Sequence, residues 1–317
     1  MSFRLALFAI AVTVGLVSPA AAQNYPSRPV TMVVPFPPGG NTDLMARALQ
    51  NELTKALGQS VIISNKGGAA GTLGILDLVK AEPDGYTMAL TPNNPITAQP
   101  HMQQTLRYGL DTFRYVCLSY YAPYVLIAGP QAPFKTFAEF VQFAKAKSEN
   151  LVYGHPGVAG QPHLVMLAVL KAIGADGLGV PFQGAGPMSH ALLGGTIMAI
   201  TESPAVANAS NLPILAAISD ERVAGLPNVP TMKELGFPAV GFSAGGLIVP
   251  AKTPVATVDT LEKACAKATA APEYKAIVER LGAEPRYLPG EAFRKMFEQD
   301  SIASADAIKR AGLGANR

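Results

Sequence analysis

Along most of the chain, short apolar runs alternate with apolar positions spaced three and four apart, the pattern of strands followed by helices. The first such unit centres on residues 33–43. Val33-Val34 ends a buried strand, Pro35-Phe36-Pro37-Pro38-Gly39-Gly40 forms a stiff turn, and Asn41-Thr42-Asp43 opens a helix. That helix carries Leu44, Ala48, Leu49, Leu53, Ala56 and Leu57 on one face and stops at Gly58. Asn41 or Thr42 is placed to cap it, with Asp43 in its first turn. Proline stiffens a turn without offering an N–H, whereas glycine leaves the backbone bare. Unpaired N–H groups at such a helix start suit an anion. The same pattern also suits an ordinary strand-to-helix connection.

The alternation continues with a strand at 60–64, a glycine-rich turn at 65–71, a helix at about 72–81, a turn at 83–85 and a strand at 86–90. This order predicts a parallel sheet, and open α/β sheets bind ligands at the carboxyl ends of their strands. The loops near 36–43, 65–71 and 91–95 are therefore expected to crowd one rim. Residues 115–129, apolar and interrupted by Pro123, read as two strands passing from one lobe to another. A helix at 137–146 and a strand at 151–153 lead into a second glycine-rich turn at 154–161 and a helix at 162–173, repeating the first unit. Strands follow at 179–182, 197–200 and 214–218, with a helix at 187–193. Residues 243–250 cross back, and helices at 255–271, 273–281 and 291–311 complete the chain. Two lobes with facing helix starts would enclose a cleft, a preferred small-molecule site.

Composition narrows the class. The 317 residues are 49% apolar, enough for one large or two medium cores. The net charge is only +3 and no basic run occurs, so nucleic acid is not an expected partner. Residues 1–22 read as a secretory signal peptide: Arg4, an apolar run from Leu5 to Val17, and Ala20-Ala21-Ala22 before Gln23. A soluble protein exported to the periplasm is expected. Cys117 and Cys265, 148 positions apart, are expected to be two buried thiols.

The two main loops hold no Arg or Lys, so an anion there would rest on backbone N–H groups, Thr42, Gln161 and helix ends. His155 is a candidate donor to a ligand or a solvated loop residue, and His163 is expected to pack at a helix start. Glu202 could accept a ligand hydroxyl or amine, or serve as a capping carboxylate. Phe36 and Tyr153 suit either an apolar ligand face or core packing. Gly241-Phe242-Ser243-Ala244-Gly245 matches a nucleophile-elbow pattern, but Leu247-Ile248-Val249 reads as strand where a helix is needed, and all four histidines precede Ser243. Gly184-Ala185-Gly186 opens a helix without completing a dinucleotide fingerprint. No Walker A loop or zinc-spaced Cys/His cluster occurs, so neither cofactor nor metal is expected.

Further segments carry a resemblance. Tyr25-Pro26-Ser27-Arg28-Pro29-Val30, the 34–43 loop, Pro83-Asp84-Gly85-Tyr86-Thr87, Tyr153-Gly154, Leu192-Leu193-Gly194-Gly195, Pro227-Asn228-Val229-Pro230-Thr231 and Leu281-Gly282-Ala283-Glu284-Pro285 occur in order. Together with the leader, the chain resembles the Bug family, extracytoplasmic solute receptors of tripartite tricarboxylate transporters. The resemblance implies an α/β, two-lobe periplasmic binding protein of the Venus-flytrap type II kind with two inter-lobe crossings, near 121–124 and 240–243. One lobe would take residues 23–122 and 244–317, the other 123–243. A small organic carboxylate is implied as ligand, aromatic ones included, and membrane transporter subunits as partners of a monomeric receptor. By resemblance the ligand carboxylate meets Phe36, Pro38, Gly39, Gly40, Asn41, Thr42 and Asp43 from one side and Tyr153, His155, Gly157, Gly160 and Gln161 from the other. Thr91, Asn93 and Glu202 would face the rest of the ligand. The chain departs from the family in its second half: His155, Pro156, Gly160 and Gln161 replace small and hydroxyl residues, Glu202-Ser203 stands for Asp-Asn, and His190-Ala191 stands for Thr-Asp. The far wall of the cleft is thus expected to be rebuilt. Two other functions share these features, an exported serine hydrolase and a ligand sensor for a signalling partner.

Overall fold

The structure, a computed structural model, describes residues 25–103, 105–223, 225–310 and 312–313; the expected leader at 1–22 lies outside them. From the first lobe come β1 (Val30–Val34), α1 (Asn41–Leu57), β2 (Val61–Asn65), α2 (Thr72–Val79) and β3 (Thr87–Pro92). Two single-turn helices, α3 (Asn94–Thr97) and α4 (Gln99–Met102), follow where only a loop was expected. Asn94-Pro95 and Gln99-Pro100 start them, and proline near a helix start hides a turn of helix from a reading that treats it as a breaker. The long strand β4 (Phe113–Pro123) then runs into β5 (Val125–Ala128).

The second lobe adds α5 (Phe137–Ala146), β6 (Val152–His155), α6 (Gln161–Ile173), β7 (Leu178–Pro181), α7 (Ala185–Leu193), β8 (Ala199–Glu202), α8 (Pro204–Ala209) and β9 (Ile214–Ala217). The chain returns through β10 (Phe242–Pro250) and ends with α9 (Val255–Ala270), α10 (Pro272–Arg280), β11 (Glu284–Pro289) and α11 (Gly290–Arg310). β11 lies between two expected helices, in a stretch for which the sequence pattern gives no element. It pairs with β4 at the sheet edge, where its two prolines leave no central ladder short of a donor.

The strands form two sheets, ordered β11-β4-β10-β3-β1-β2 and β7-β6-β8-β5-β9. β1 pairs in parallel with β2 and β3, and β6 in parallel with β7 and β8, as the strand–helix alternation predicts. The linking strands β10 and β5 run antiparallel to their neighbours. Both sheets are covered on both faces, so their strands read as near-continuous apolar runs. In β5, Val125 and Ile127 join one core while Leu126 and Ala128 join the opposite one. The C-terminal helices return to the first sheet, α9 lying on α1 and β4, and Phe293 and Phe297 of α11 packing edge-on against Tyr115.

Two crossings join the lobes side by side. Phe242 pairs with Pro123 across the antiparallel ladder and stacks on Tyr121. Between them Tyr124 is held at both ends: its N–H donates to Gly241 O at 2.8 Å and its carbonyl accepts from Ile218 N at 2.8 Å. No helix among the described residues is long and apolar enough to cross a membrane.

Cys117 and Cys265 are disulfide-bonded, with Cα atoms 6.5 Å apart, which corrects the expectation of two thiols. Cys117 lies in the middle of β4, and α9 packs Cys265 directly over it. A return of the chain over 148 positions is a tertiary fact that residue spacing does not carry. Replacing both cysteines by alanine is expected to lower the unfolding free energy by about 2–4 kcal/mol, read from urea titration. Before reduction, the urea-unfolded protein should show no free thiol; two free thiols would contradict the bridge.

Candidate functional site

Three loops of the first lobe meet at one rim. A Cβ at Gly71 would fall 2.7 Å from Pro95 and 3.1 Å from Phe36, and one at Gly67 would fall 2.8 Å from Pro37, so only glycine permits this approach. At its centre α1 begins with no side-chain cap: Gly40 is the N-cap. Asn41 and Thr42, expected as caps, occupy the first two helical positions instead, because the extended backbone precedes them at Gly40. The stabilising side chain is Asp43, which accepts hydrogen bonds from Gly39 N (2.8 Å), Arg47 Nε (2.8 Å) and Asn65 Nδ2 (2.9 Å). Burial opposes its charge, but these bonds outweigh burial and hold the carboxyl below its ordinary range.

The second lobe builds the same device with different chemistry. Gly160 is the N-cap of α6, again without a side-chain cap. His163, third in its helix as Asp43 is in α1, reaches back so that Nδ1 accepts from Ala159 N at 3.1 Å. Ala159 and Gly39, the residues before the caps, both have positive φ, 52° and 81°. The first helical residue is a side-chain amide in both, Asn41 and Gln161, and each has its amide oxygen buried without a hydrogen-bond partner. The His163 ring stacks on His155 at 3.9 Å between centroids, and His155 Nδ1 donates to Gly157 O at 2.8 Å. Burial lowers both pKa values, that of His163 to about 4 with His155 adding to the effect, so both rings are neutral at pH 7. The pair fixes the loop that feeds α6.

Between these helix starts lies a cavity of about 380 Å³. Of the residues expected there, Phe36, Pro38, Gly39, Gly40, Asn41, Thr42, Asn93, Gly160, Gln161 and Glu202 line it. Asp43 and Thr91 are buried off its wall, the Thr91 hydroxyl donating to Pro92 O. Tyr153 and His155 are buried in β6, and Gly157 borders a neighbouring groove with Ala69 and Gln99. Asn93 has its amide engaged, donating to Asp300 Oδ2 at 2.9 Å and accepting from Ala244 N at 3.4 Å.

Residues not anticipated complete the lining. Tyr124 and Ser243 come from the two crossings, and Gln183, Gly184, Ala185, Gly186 and Pro187 bring the start of α7 with glycine as its N-cap. The strand–glycine–helix pattern at 184–187 carries that signal, although it completes no dinucleotide fingerprint. Ser243 sits inside β10, paired with Ala122, and no helix follows it as a nucleophile elbow requires. The lining holds no Arg or Lys and one carboxyl, Glu202. Glu202 accepts from Ser203 N at 2.7 Å, and burial pushes its pKa up to about 7.

The lobes touch at the cleft mouth. Asn94 Nδ2 and Gln99 Nε2 donate across it to Ala159 O at 3.1 and 3.2 Å, beside an apolar contact of Ala98, Ala159, Leu164 and Ile308. A larger hollow of about 760 Å³ borders the crossings at Tyr121 and Pro123; it is lined by the acids Asp220, Glu221, Glu279 and Glu284 and by Arg222 and Arg286, each arginine ion-paired to a glutamate. The smaller cavity has the features of an anion site built from neutral donors: three helix starts and side-chain amides.

Residues 45–313 match the family described as the tripartite tricarboxylate transporter family receptor. BugT of Bordetella pertussis is 35% identical over 232 residues, 71% of each chain. Among solved structures, the periplasmic binding protein BugD superposes with a TM-score of 0.84 at 31% identity, covering 92% of this chain and 99% of its own. MatC of Rhodopseudomonas palustris, solved with bound malate, gives 0.82 at 30% identity, covering 90% and 100%.

Asp43→Ala and His163→Ala should each weaken carboxylate binding about tenfold in calorimetry, since each frees the loop ahead of a helix start. Unchanged dissociation constants would show that the loops hold their shape without them. A buried carboxyl with a raised pKa takes up its proton earlier in the folded state, so its contribution to stability grows as pH falls from 8 through 7 towards 4.5. Glu202→Gln should therefore stabilise the ligand-free protein more at pH 8 than at pH 5, by about 2.5 kcal/mol. Parallel wild-type and variant stability curves across that range would rule out the shift.

Proposed function

Because the chain belongs to the tripartite tricarboxylate transporter receptor family, we propose that it works in the periplasm as a monomer, closing around one small carboxylate and handing it to membrane transporter subunits. The observation that carries this is the pair of uncapped helix starts, α1 from one lobe and α6 from the other, lining a single cavity. A ligand carboxylate that bridges them stabilises the touching arrangement of the lobes, so binding acts as a population shift towards closure. Malate bound to MatC supports a carboxylate here. We place the lobe divisions at 122/123 and 243/244; the two sheets and the strand pairing of Phe242 with Pro123 support that placement.

We read the protein as a binder that leaves its ligand unaltered. Support comes from Ser243, held in mid-strand, and from the descent of the site's donors from backbone and amides, which hold charge without moving protons. Neutral donors to a carboxylate contribute roughly 1.5–3 kcal/mol each before costs, so several suffice for micromolar affinity.

A thermal-shift screen over mono-, di-, tricarboxylate and aromatic acids is the direct experiment. A ligand at a hundred times its dissociation constant should stabilise the protein by about 2.7 kcal/mol. Carboxylates that all leave the transition unmoved, or hydrolysis of a chromogenic ester abolished by Ser243→Ala, would refute the proposal.

A further inference from the structure

The floor of the cavity differs in chemistry from its walls. The walls offer N–H groups at three helix starts, and apolar surface from Phe36 and the prolines. The floor, where β8 ends beside the crossings, carries Glu202 with Tyr124 and Ser243. One Glu202 oxygen is committed to Ser203 N–H, and no Arg or Lys lines the cavity to balance the carboxyl. Two carboxylates brought together without a cation oppose each other, and in a buried site the opposition is weakly screened.

We propose that the ligand carries a single carboxylate for the helix starts and a hydrogen-bond donor, an amine, hydroxyl or ring N–H, that meets Glu202. The inference rests on the carboxylate reading above and narrows it: a dicarboxylate of the same length is the poorer ligand. Donor chemistry suits both protonation states of Glu202. An ammonium pairs with the ionised form, and a hydroxyl or N–H donates to either, whereas a second carboxylate requires the neutral form. The other titratable groups about Glu202 are the phenols of Tyr120 and Tyr124, which burial pushes upward, so they stay neutral through pH 8. Glu202 is thus the lining group that changes charge near neutrality.

Calorimetry at pH 8 with two matched series tests this: pentanoate, 5-hydroxypentanoate, 5-aminopentanoate and glutarate; benzoate, 4-hydroxybenzoate, 4-aminobenzoate and terephthalate. In at least one series a donor-bearing acid should bind about tenfold or more tighter than the dicarboxylate. Glu202→Gln should narrow or reverse that gap, and wild-type affinity for the dicarboxylate should rise as pH falls from 8 to 6 while that of the variant stays flat. Tightest binding by the dicarboxylate or the plain monocarboxylate in both series, or an unchanged ranking in the variant, overturns this inference and leaves the carboxylate reading standing. Binding by none of the eight overturns this inference, and the carboxylate reading falls with it only if the wider thermal-shift screen is also blank.

Discussion

Unpaired backbone N–H groups at the starts of α1 and α6 are the constraint on which the site depends. Such groups normally find a capping side chain, and leaving them bare in a buried place costs free energy. Glycine at each cap removes the competing side chain. The third helical residue then secures the loop ahead of it, Asp43 by accepting from Gly39 and His163 by accepting from Ala159. The result is a fixed set of donors whose direction does not depend on ligand. Arginine would hold an anion more strongly as a point charge, but burying it unpaired in the empty cleft would cost several kcal/mol. Helix starts deliver partial positive charge without that cost.

The rest of the fold keeps these donors aimed at each other. Each helix springs from a strand of its own sheet, and the sheets are joined through paired strands that meet at Tyr124 and Phe242. The C-terminal α11 braces the first lobe's rim: Asp300 accepts from Asn93 and from the Thr97 hydroxyl, fixing the segment that contacts the far lobe. The carbonyl of Ala159, on the loop that His163 secures, is also the acceptor for Asn94 and Gln99 across the mouth. Loop shape, anion site and lobe contact therefore share one short segment of chain, and a ligand that orders the segment favours closure.

Much of this was legible in the sequence because local chemistry fixed it. Glycine and proline punctuation marked both strand–turn–helix units, and the apolar runs marked strands buried on two faces. What the sequence hid was long-range or reciprocal. Asp43 looked like a ligand contact or a first-turn acid, and only its three partners reveal a brace. His155 and His163, eight positions apart across a turn, stack because the loop doubles back through positive φ at Gly157 and Ala159. The Cys117–Cys265 bridge and the Asp300 brace join residues far apart in the chain, through helices whose docking no periodicity announces. Tyr124 and Ser243 lie in the crossing strands, whose apolar pattern carries no sign that the crossings form the cavity floor.

The central claim is that one anion engages both helix starts at once. Amide chemical shifts of isotopically labelled protein, titrated with the tightest-binding carboxylate of the screen, test it most directly. The N–H signals of Gly40, Asn41 and Thr42 and those of Gly160, Gln161 and His163 should move together, saturating with one dissociation constant. Movement confined to one set, with the other unperturbed at saturation, would contradict it.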